Sequence, residues 1–404
     1  MNTIELGSSE HRRTSISMLL GSIVTFAVLY SPQSLISLFS KQYHISPATA
    51  GASVSLATIG LAIGLIIVST ISDRVDRKLL MSLSLLTTSV LAILSAFTHQ
   101  FTLFLIIRFL IGLSVAGFPS IAMAFLNEEF HPKAIGRVIG IYVAGTSIGG
   151  LVGRVVIGVL TDLFNWQIAL MILGIISLLF SLIFWYKLPS SRNFTPRRTS
   201  LLQWERGLKH NISQRNLLSL FLTAFLLMGV YIMILNYIGY PLTSKPYNLS
   251  QTVFGFLFVV NLLGTCSSVW FGKLADRYSR QHVIALAIGI LMIGVLLTLS
   301  SVLFLKIAGV AIVAFGFFAS HSVASGWVGI AAGRESKAQA SSLYLLFYYG
   351  GSSLIGWSGG IFLHQFGWNG MIAYASVLLV LAALVSRLAA SPHRARYAHG
   401  NSIR

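Results

Sequence analysis

The chain has 404 residues, of which 55% are hydrophobic and only 9% charged, and its formal net charge is +18. A soluble domain carries roughly a quarter charged residues, so this composition excludes a water-covered globular surface and points to lipid as the solvent. The positive charges fall in short clusters between apolar runs, with no basic face bearing interleaved aromatics, which excludes a nucleic-acid partner.

In chain order, a polar start (Met1 to Arg13) precedes a first apolar run that is too long for a signal-peptide core and has no small-residue cleavage site after it. That helix is expected to stay. Crossing the hydrocarbon core takes roughly 20 apolar residues. Runs of about that length fall near 17–39, 49–71, 79–97, 102–126, 138–160 and 167–186, then near 217–240, 252–272, 282–302, 307–330, 339–363 and 369–390. The prediction is an all-α membrane protein with twelve transmembrane helices: a six-helix bundle over 1–186, a cytoplasmic basic linker over 187–216, and a second six-helix bundle over 217–404. The linker holds Pro189, Pro196, Arg197, Arg198, Glu205, Arg206, Lys209 and Arg215, and is expected to lie along anionic lipid headgroups, with a short amphipathic helix around Leu201 to Leu208.

Basic residues set the orientation. With the N-terminus cytoplasmic, 23 of the 28 Lys and Arg residues fall inside. Lys41, Lys245 and Lys306 fall outside, and Arg108 and Arg154 lie within spans. Both termini are therefore expected to be cytoplasmic.

The two halves repeat. Ser69-Thr-Ile-Ser-Asp73-Arg74-Val-Asp76-Arg77-Lys78 matches Gly272-Lys-Leu-Ala-Asp276-Arg277-Tyr-Ser279-Arg280-Gln281 at an offset of 203. Tyr43, Ser46 and Gly51 match Tyr247, Ser250 and Gly255 at 204, while Gly149, Gly158 and Trp166 match Gly351, Gly360 and Trp368 at 202. Six helices per repeat make the halves parallel, the arrangement in which two bundles rock around a midplane site.

These residues carry a resemblance. Asp73-Arg74-x-x-Arg77-Lys78, with its weaker copy at Asp276-Arg277, resembles the loop motif of the major facilitator superfamily. Arg108-x-x-x-Gly112 with Gly117 resembles the arginine motif of its twelve-helix drug:proton antiporter branch, and Gly145-x-x-x-Gly149-Gly150-x-x-Gly153-Arg154 resembles that branch's helix-five glycine motif. Leu188-Pro189-x-Ser191-Arg192-Asn193-Phe194 after span six is similar to a group of bacterial efflux permeases. Ser69 and Asp76 depart from the loop motif, which has glycine there, and helix five lacks the usual proline. The resemblance implies the major facilitator fold, a monomer in a bacterial inner membrane, and proton-coupled efflux of a small solute, with no cofactor and no metal.

Several residues then acquire candidate roles. Asp73 can face the positive end of helix eleven, and Arg77 can reach Glu128 or Glu129, so that the loop motif with Arg74, Lys78, Asp276, Arg277 and Arg280 gates the cytoplasmic side. A topogenic basic loop is the alternative. Arg108 and Arg154 lie at similar depth in the outer half of the membrane, where a charge needs water or a partner. The resemblance implies proton coupling for Arg108. Arg154 is read either as a solute contact or as a group bonded to backbone carbonyls. All ten acids are terminal or in loops, which points away from cationic solutes and toward neutral or anionic ones. His321, with an ordinary pKa near ~6.5, is a candidate proton carrier or a neutral interhelical donor. Tyr30, Gln33, Tyr231, Asn236, Tyr237, Tyr344, Tyr348, Tyr349 and Trp357 are candidate cavity residues, and Pro32 and Pro119 candidate bends. The glycines Gly145, Gly149, Gly150 and Gly153 also suit close helix packing.

Rival classes find little support. No G-x-x-x-x-G-K-[ST] stretch exists for an ATP-driven pump. Glu128, Glu129 and His131 adjoin without completing a catalytic set. An uptake carrier or facilitator for a neutral or anionic solute remains the alternative to efflux.

Overall fold

A computed structural model of the chain describes residues 3–72, 74–194 and 208–389. Their regular secondary structure is helical, apart from one isolated bridge between Ile4 and Phe130. The helices of membrane-crossing length are α1 (Ser9–Tyr43), α2 (Pro47–Ile71), α3 (Arg77–Ser95), α4 (Phe101–Glu129), α5 (Ala134–Leu163), α6 (Trp166–Lys187), α7 (Arg215–Leu242), α8 (Gln251–Arg277), α9 (Arg280–Leu297) and α10 (Leu303–Ala331). An eleventh stretch, Gln339–Arg387, has 49 residues, about 74 Å if straight at 1.5 Å per residue, far more than a bilayer needs. It reverses at Gly367, whose φ of 66° and ψ of −169° lie outside the helical region. The rings of Phe362 and Tyr374 stack at 4.0 Å, and the hydroxyls of Ser358 and Tyr374 are 3.1 Å apart. Residues 339–366 and 368–387 are therefore two antiparallel helices, α11 and α12. Twelve spans result among the described residues, the number that the sequence predicts. The expected amphipathic helix around Leu201 to Leu208 falls, over 201–207, outside the described residues.

Caps define the starts. Ser46 accepts from the Thr49 N–H and Ser250 from the Val253 N–H, so the matched serines begin α2 and α8 in the same way. Asp76 caps α3, and Asn165 caps α6. Inside the membrane every backbone group must be bonded within the protein, which is why apolar runs of this length fold as helices.

The repeat is also spatial. In the first half α1 packs on α5, α2 on α4 and α3 on α6. A Cβ at Gly149 of α5 would strike Ile23 of α1, and one at Gly351 of α11 would strike Phe225 of α7. The two glycines and the two residues they meet are each 202 apart. The lipid-facing stripe of α6 (Ile175, Leu179, Leu182) recurs on α12 as Val377, Leu381 and Leu384, again 202 residues on and again exposed. Between the halves, α5 meets the start of α8 and α11 meets α2. Gly158 lies against Gln251 and Gly360 against Ala48. These two seams are related by the same repeat and lie at the end of the molecule opposite the Asp73–Lys78 loop.

Gly367 carries the last reversal on a backbone conformation that only glycine adopts readily, and a Cβ there would meet no atom. Gly367→Ala should therefore lose about 1–3 kcal/mol from backbone strain alone. Thermal unfolding in detergent should show a lowered Tm, whereas Gly350→Ala, where a Cβ finds ordinary contact with Phe225, should leave it nearly unchanged.

Candidate functional site

Pro32 has no N–H to donate back to the Val28 carbonyl, so α1 cannot continue as a regular α-helix through this point. The chain runs as a 3-10 segment over Ser31–Leu35 before resuming. Helix α8 breaks similarly over Phe258–Val260. Short 3-10 stretches within a helix often mark functional positions, and both breaks face Arg154 of α5.

Arg154 is 5% exposed. Its Nε donates to Gln33 Oε1 at 2.7 Å and one Nη to the Gly150 carbonyl at 2.5 Å. The guanidinium carbon lies over the rings of Tyr30 (4.8 Å) and Phe258 (4.7 Å), contacts that stabilise a desolvated cation. Gln33 in turn donates to Asn236 Oδ1 of α7 at 2.7 Å. A chain of polar groups thus crosses from α5 through α1 to the second half. The second Nη of Arg154 has no hydrogen-bond partner among the described residues, and no carboxylate lies against the group.

That edge belongs to a cavity of about 400 Å³ between the halves, within the ordinary range for small-molecule sites. Its first-half wall includes Tyr30, Thr146, Ser147, Gly150 and Arg154; its second-half wall includes Tyr231, Asn261, Phe317, His321, Ser322 and Tyr348. Tyr231 stacks on Phe317 at 4.0 Å and donates to Asn261 Oδ1 at 3.1 Å. His321 Nδ1 is 2.9 Å from the Tyr344 hydroxyl, and its ring centroid is 4.9 Å from that of Tyr348. Val143 and Leu345, 48% and 38% exposed, line the mouth toward the Asp73–Lys78 loop. At the opposite end the halves meet: the Asp162 carboxylate accepts the N–H groups of Gln251 and Thr252 at the start of α8, and Lys41 donates to the Thr243 carbonyl.

The structure sorts the sequence candidates. Tyr30, Arg154, Tyr231, His321, Tyr348 and Tyr349 line the cavity, while Gln33 and Asn236 stand behind Arg154. Tyr344 is buried behind His321, Tyr237 bonds to the Trp357 carbonyl away from the cavity, and Trp357 is exposed on the outer surface. Gly145, Gly149 and Gly153 pack on α1 of their own half, and the contact with the opposite half comes further along, at Gly158. Asn261, Thr265 and Ser268, which line the wall from α8, were not predicted; an asparagine inside the apolar run of span eight was the available signal.

Arg108 is not in the cavity wall. At 1% exposure it donates to the carbonyls of Ser53 (2.9 Å), Val28 (3.0 Å) and Leu29. It takes up the carbonyls that the break in α1 leaves available and ties α4 to α1 and α2.

In the loop motif, Arg77 pairs with Glu128 through two nitrogens, at 3.2 and 2.9 Å, donates to the Ser72 carbonyl, and lies 4.8 Å from the Phe194 ring centroid. Glu129 instead accepts from the backbone of Arg192 and Asn193, while Arg192 pairs with Glu10. Arg280 and Asp276 are 3.9 Å apart near the surface; Arg74 and Arg277 are exposed, and Lys78 is half-buried. Asp73 lies outside the described residues. The Arg77–Glu128 pair closes within one half, and the hydrogen bonds described between the halves lie toward the other end.

Arg108→Ala removes three charge-assisted bonds and leaves buried carbonyls unpaired. It should cost about 3–5 kcal/mol, read as a large fall in Tm or loss of a monodisperse gel-filtration peak. Arg154→Gln, which borders open space, should move Tm much less.

Residues 18–250 and 232–401 each match the Major Facilitator Superfamily. The chain is similar to the MFS-type transporter YybF of Bacillus subtilis (strain 168), 40% identical over 386 residues that cover 96% of this chain and 95% of the relative. It is 41% identical over 382 residues to the inner membrane transport protein YnfM of Escherichia coli (strain K12), covering 95% and 91%. A crystal structure of a bacterial homologue of the human lysosomal transporter Spinster, inward-facing and occupied, shares the fold with a TM-score of 0.78 at 16% identity, covering 95% of this chain and 97% of that one. The chain therefore belongs to the Major Facilitator Superfamily and is a multi-pass inner-membrane transporter, not an enzyme.

Proposed function

We propose that this transporter exports a small organic anion by alternating access, with the helices of 1–186 and 217–404 moving as two bodies joined by the basic stretch 187–216. One observation carries the reading. Arg154 is buried in the cavity wall with no carboxylate partner and an unpaired nitrogen. A charge at this depth costs several kcal/mol unless it meets water or a counter-ion, and an anionic solute supplies one.

The basic bias of the loops puts the Asp73–Lys78 end in the cytoplasm. The cavity then opens inward, the state in which an exporter loads. Driving force supports the same direction. An anion leaving a negative-inside cell gains about 2.3 kcal/mol per charge per 100 mV. Anion export can therefore run without a membrane carboxylate, and no acid of this chain falls within one of its twelve apolar runs. Proton exchange is assigned to His321, which lines the same cavity and is bonded to Tyr344. The loop motif forms the cytoplasmic gate when the cavity turns outward. Arg108 is given a structural part and no share in coupling.

Proteoliposomes carrying a pH dye and an imposed potassium–valinomycin potential test this, with labelled organic anions, sugars, amino acids and cationic dyes as the panel. An anion should move with the sign of the potential, and Arg154→Gln should slow it at least about tenfold, or ~1.4 kcal/mol. His321→Ala should remove the accompanying pH change. Movement of a sugar or a cationic dye while the anions stay in place would sink the anion reading. Anion flux without proton movement would leave a uniporter.

A further inference from the structure

The anion reading can be narrowed from the way Arg154 is held; the inference rests on that reading. The guanidinium carbon lies over the rings of both Tyr30 and Phe258, which restrict approach to the group. Its Nε and one Nη hydrogen are committed to Gln33 and Gly150. What remains is one edge, in the plane of the group, presenting N–H donors at the fork spacing that suits a carboxylate.

Charge limits the ligand further. Arg154 is the sole Lys or Arg among the residues lining the cavity, and no Asp or Glu joins it. One positive charge matches one negative charge. A dianion would leave a second charge desolvated and unpaired.

The rest of the wall is rich in rings. Seven of the 23 lining residues are Phe or Tyr, about 30%, against 12% aromatic content in the whole chain. They are also ordered relative to one another. Tyr231 and Phe317 stack with an interplanar angle of 5°, and His321 continues from Phe317 at 5.9 Å and 15°. Rings stacked in this way cover one another's faces and present their edges and the outer face of the stack, which a further ring can meet by edge contact or offset stacking. Conjugation between a carboxylate and an aromatic ring keeps the two in one plane. Such a solute can enter the edge of Arg154 while its ring lies among these walls.

We infer that the transported solute is a small aromatic monocarboxylate, its carboxylate on the open edge of Arg154 and its ring against the Tyr231–Phe317–His321 wall.

Binding to the full-length protein in detergent tests this by calorimetric titration at pH 7.5, with three probes of similar size: benzoate, cyclohexanecarboxylate and benzamide. Benzoate should bind about tenfold more tightly than cyclohexanecarboxylate, the gain expected from ring–ring contacts, and benzamide should show no heat. Phe317→Leu, which keeps an apolar side chain in place, should bring the two carboxylates to within about threefold of each other. Arg154→Gln should abolish binding of both. Equal binding of the two carboxylates, with Arg154→Gln inactive, overturns the aromatic assignment and leaves anion export standing. Binding of benzamide as tight as benzoate, unaffected by Arg154→Gln, overturns both. Failure of all three probes to bind overturns the aromatic assignment, and the panel transport experiment then decides the anion reading separately.

Discussion

A guanidinium at membrane depth has to be solvated by the protein, and helix α1 meets that need twice within six residues. Pro32 withholds one N–H, the helix tightens to a 3-10 segment, and the carbonyls of Val28 and Leu29 become available to Arg108. On the other side of the same break, Tyr30 and Gln33 hold Arg154. Two arginines of similar depth thus end in opposite situations. Arg108 has its charge spread over three backbone carbonyls and is closed off. Arg154 is held by one carbonyl, one amide and two rings, and keeps an edge toward space. Among the described residues, the two cations differ in that every nitrogen of Arg108 is bonded while one of Arg154 is not.

The repeat gives this site its setting. Helices α1 and α7 are the most buried of the spans, and each is gripped by a glycine-bearing helix of its own half. Close backbone approach fixes those pairs as rigid units, since a packed contact tolerates little continuous deformation. The residues free to face one another across the midplane are then those on α1, α5, α7, α8, α10 and α11, and these supply the cavity wall. Arg154 comes from one half and His321 from the other, so the cavity wall is shared between them.

Much of this was legible in the sequence. The twelve spans, the repeat offsets, and the exceptional depth of Arg154 and His321 follow from hydropathy and residue cost alone. Other features depend on rotation about the helix axis, which hydropathy does not report. Tyr344 and Tyr348 are one turn apart in α11, yet one is buried behind His321 and the other lines the cavity. Tyr237 reads as a lining residue by composition but fills the space left by Gly51 and Gly360. Arg108 and Arg154 look equivalent by depth, and only the path of α1 separates them. Asn261 escaped notice because one amide within an apolar run hardly alters its mean hydropathy. The close packing read from the helix-five glycines is made within their own half, and Gly158, one repeat unit from Gly360, meets the other half.

Those last two glycines bear on how the closed end comes apart. Gly158 against Gln251 and Gly360 against Ala48 are near-copies of one joint, placed on either side of the central passage. They are not identical in their polar contacts: at the first the Asp162 carboxylate accepts the N–H groups of Gln251 and Thr252, and at the second the Ser353 hydroxyl donates to the Ser55 carbonyl at 2.8 Å. The repeat thus reproduces the glycine approach at both seams while each carries its own polar partner. Opening this end therefore parts the same close backbone approach on both sides of the passage but breaks a different bond on each: a carboxylate on backbone N–H groups at one seam, a hydroxyl on a backbone carbonyl at the other.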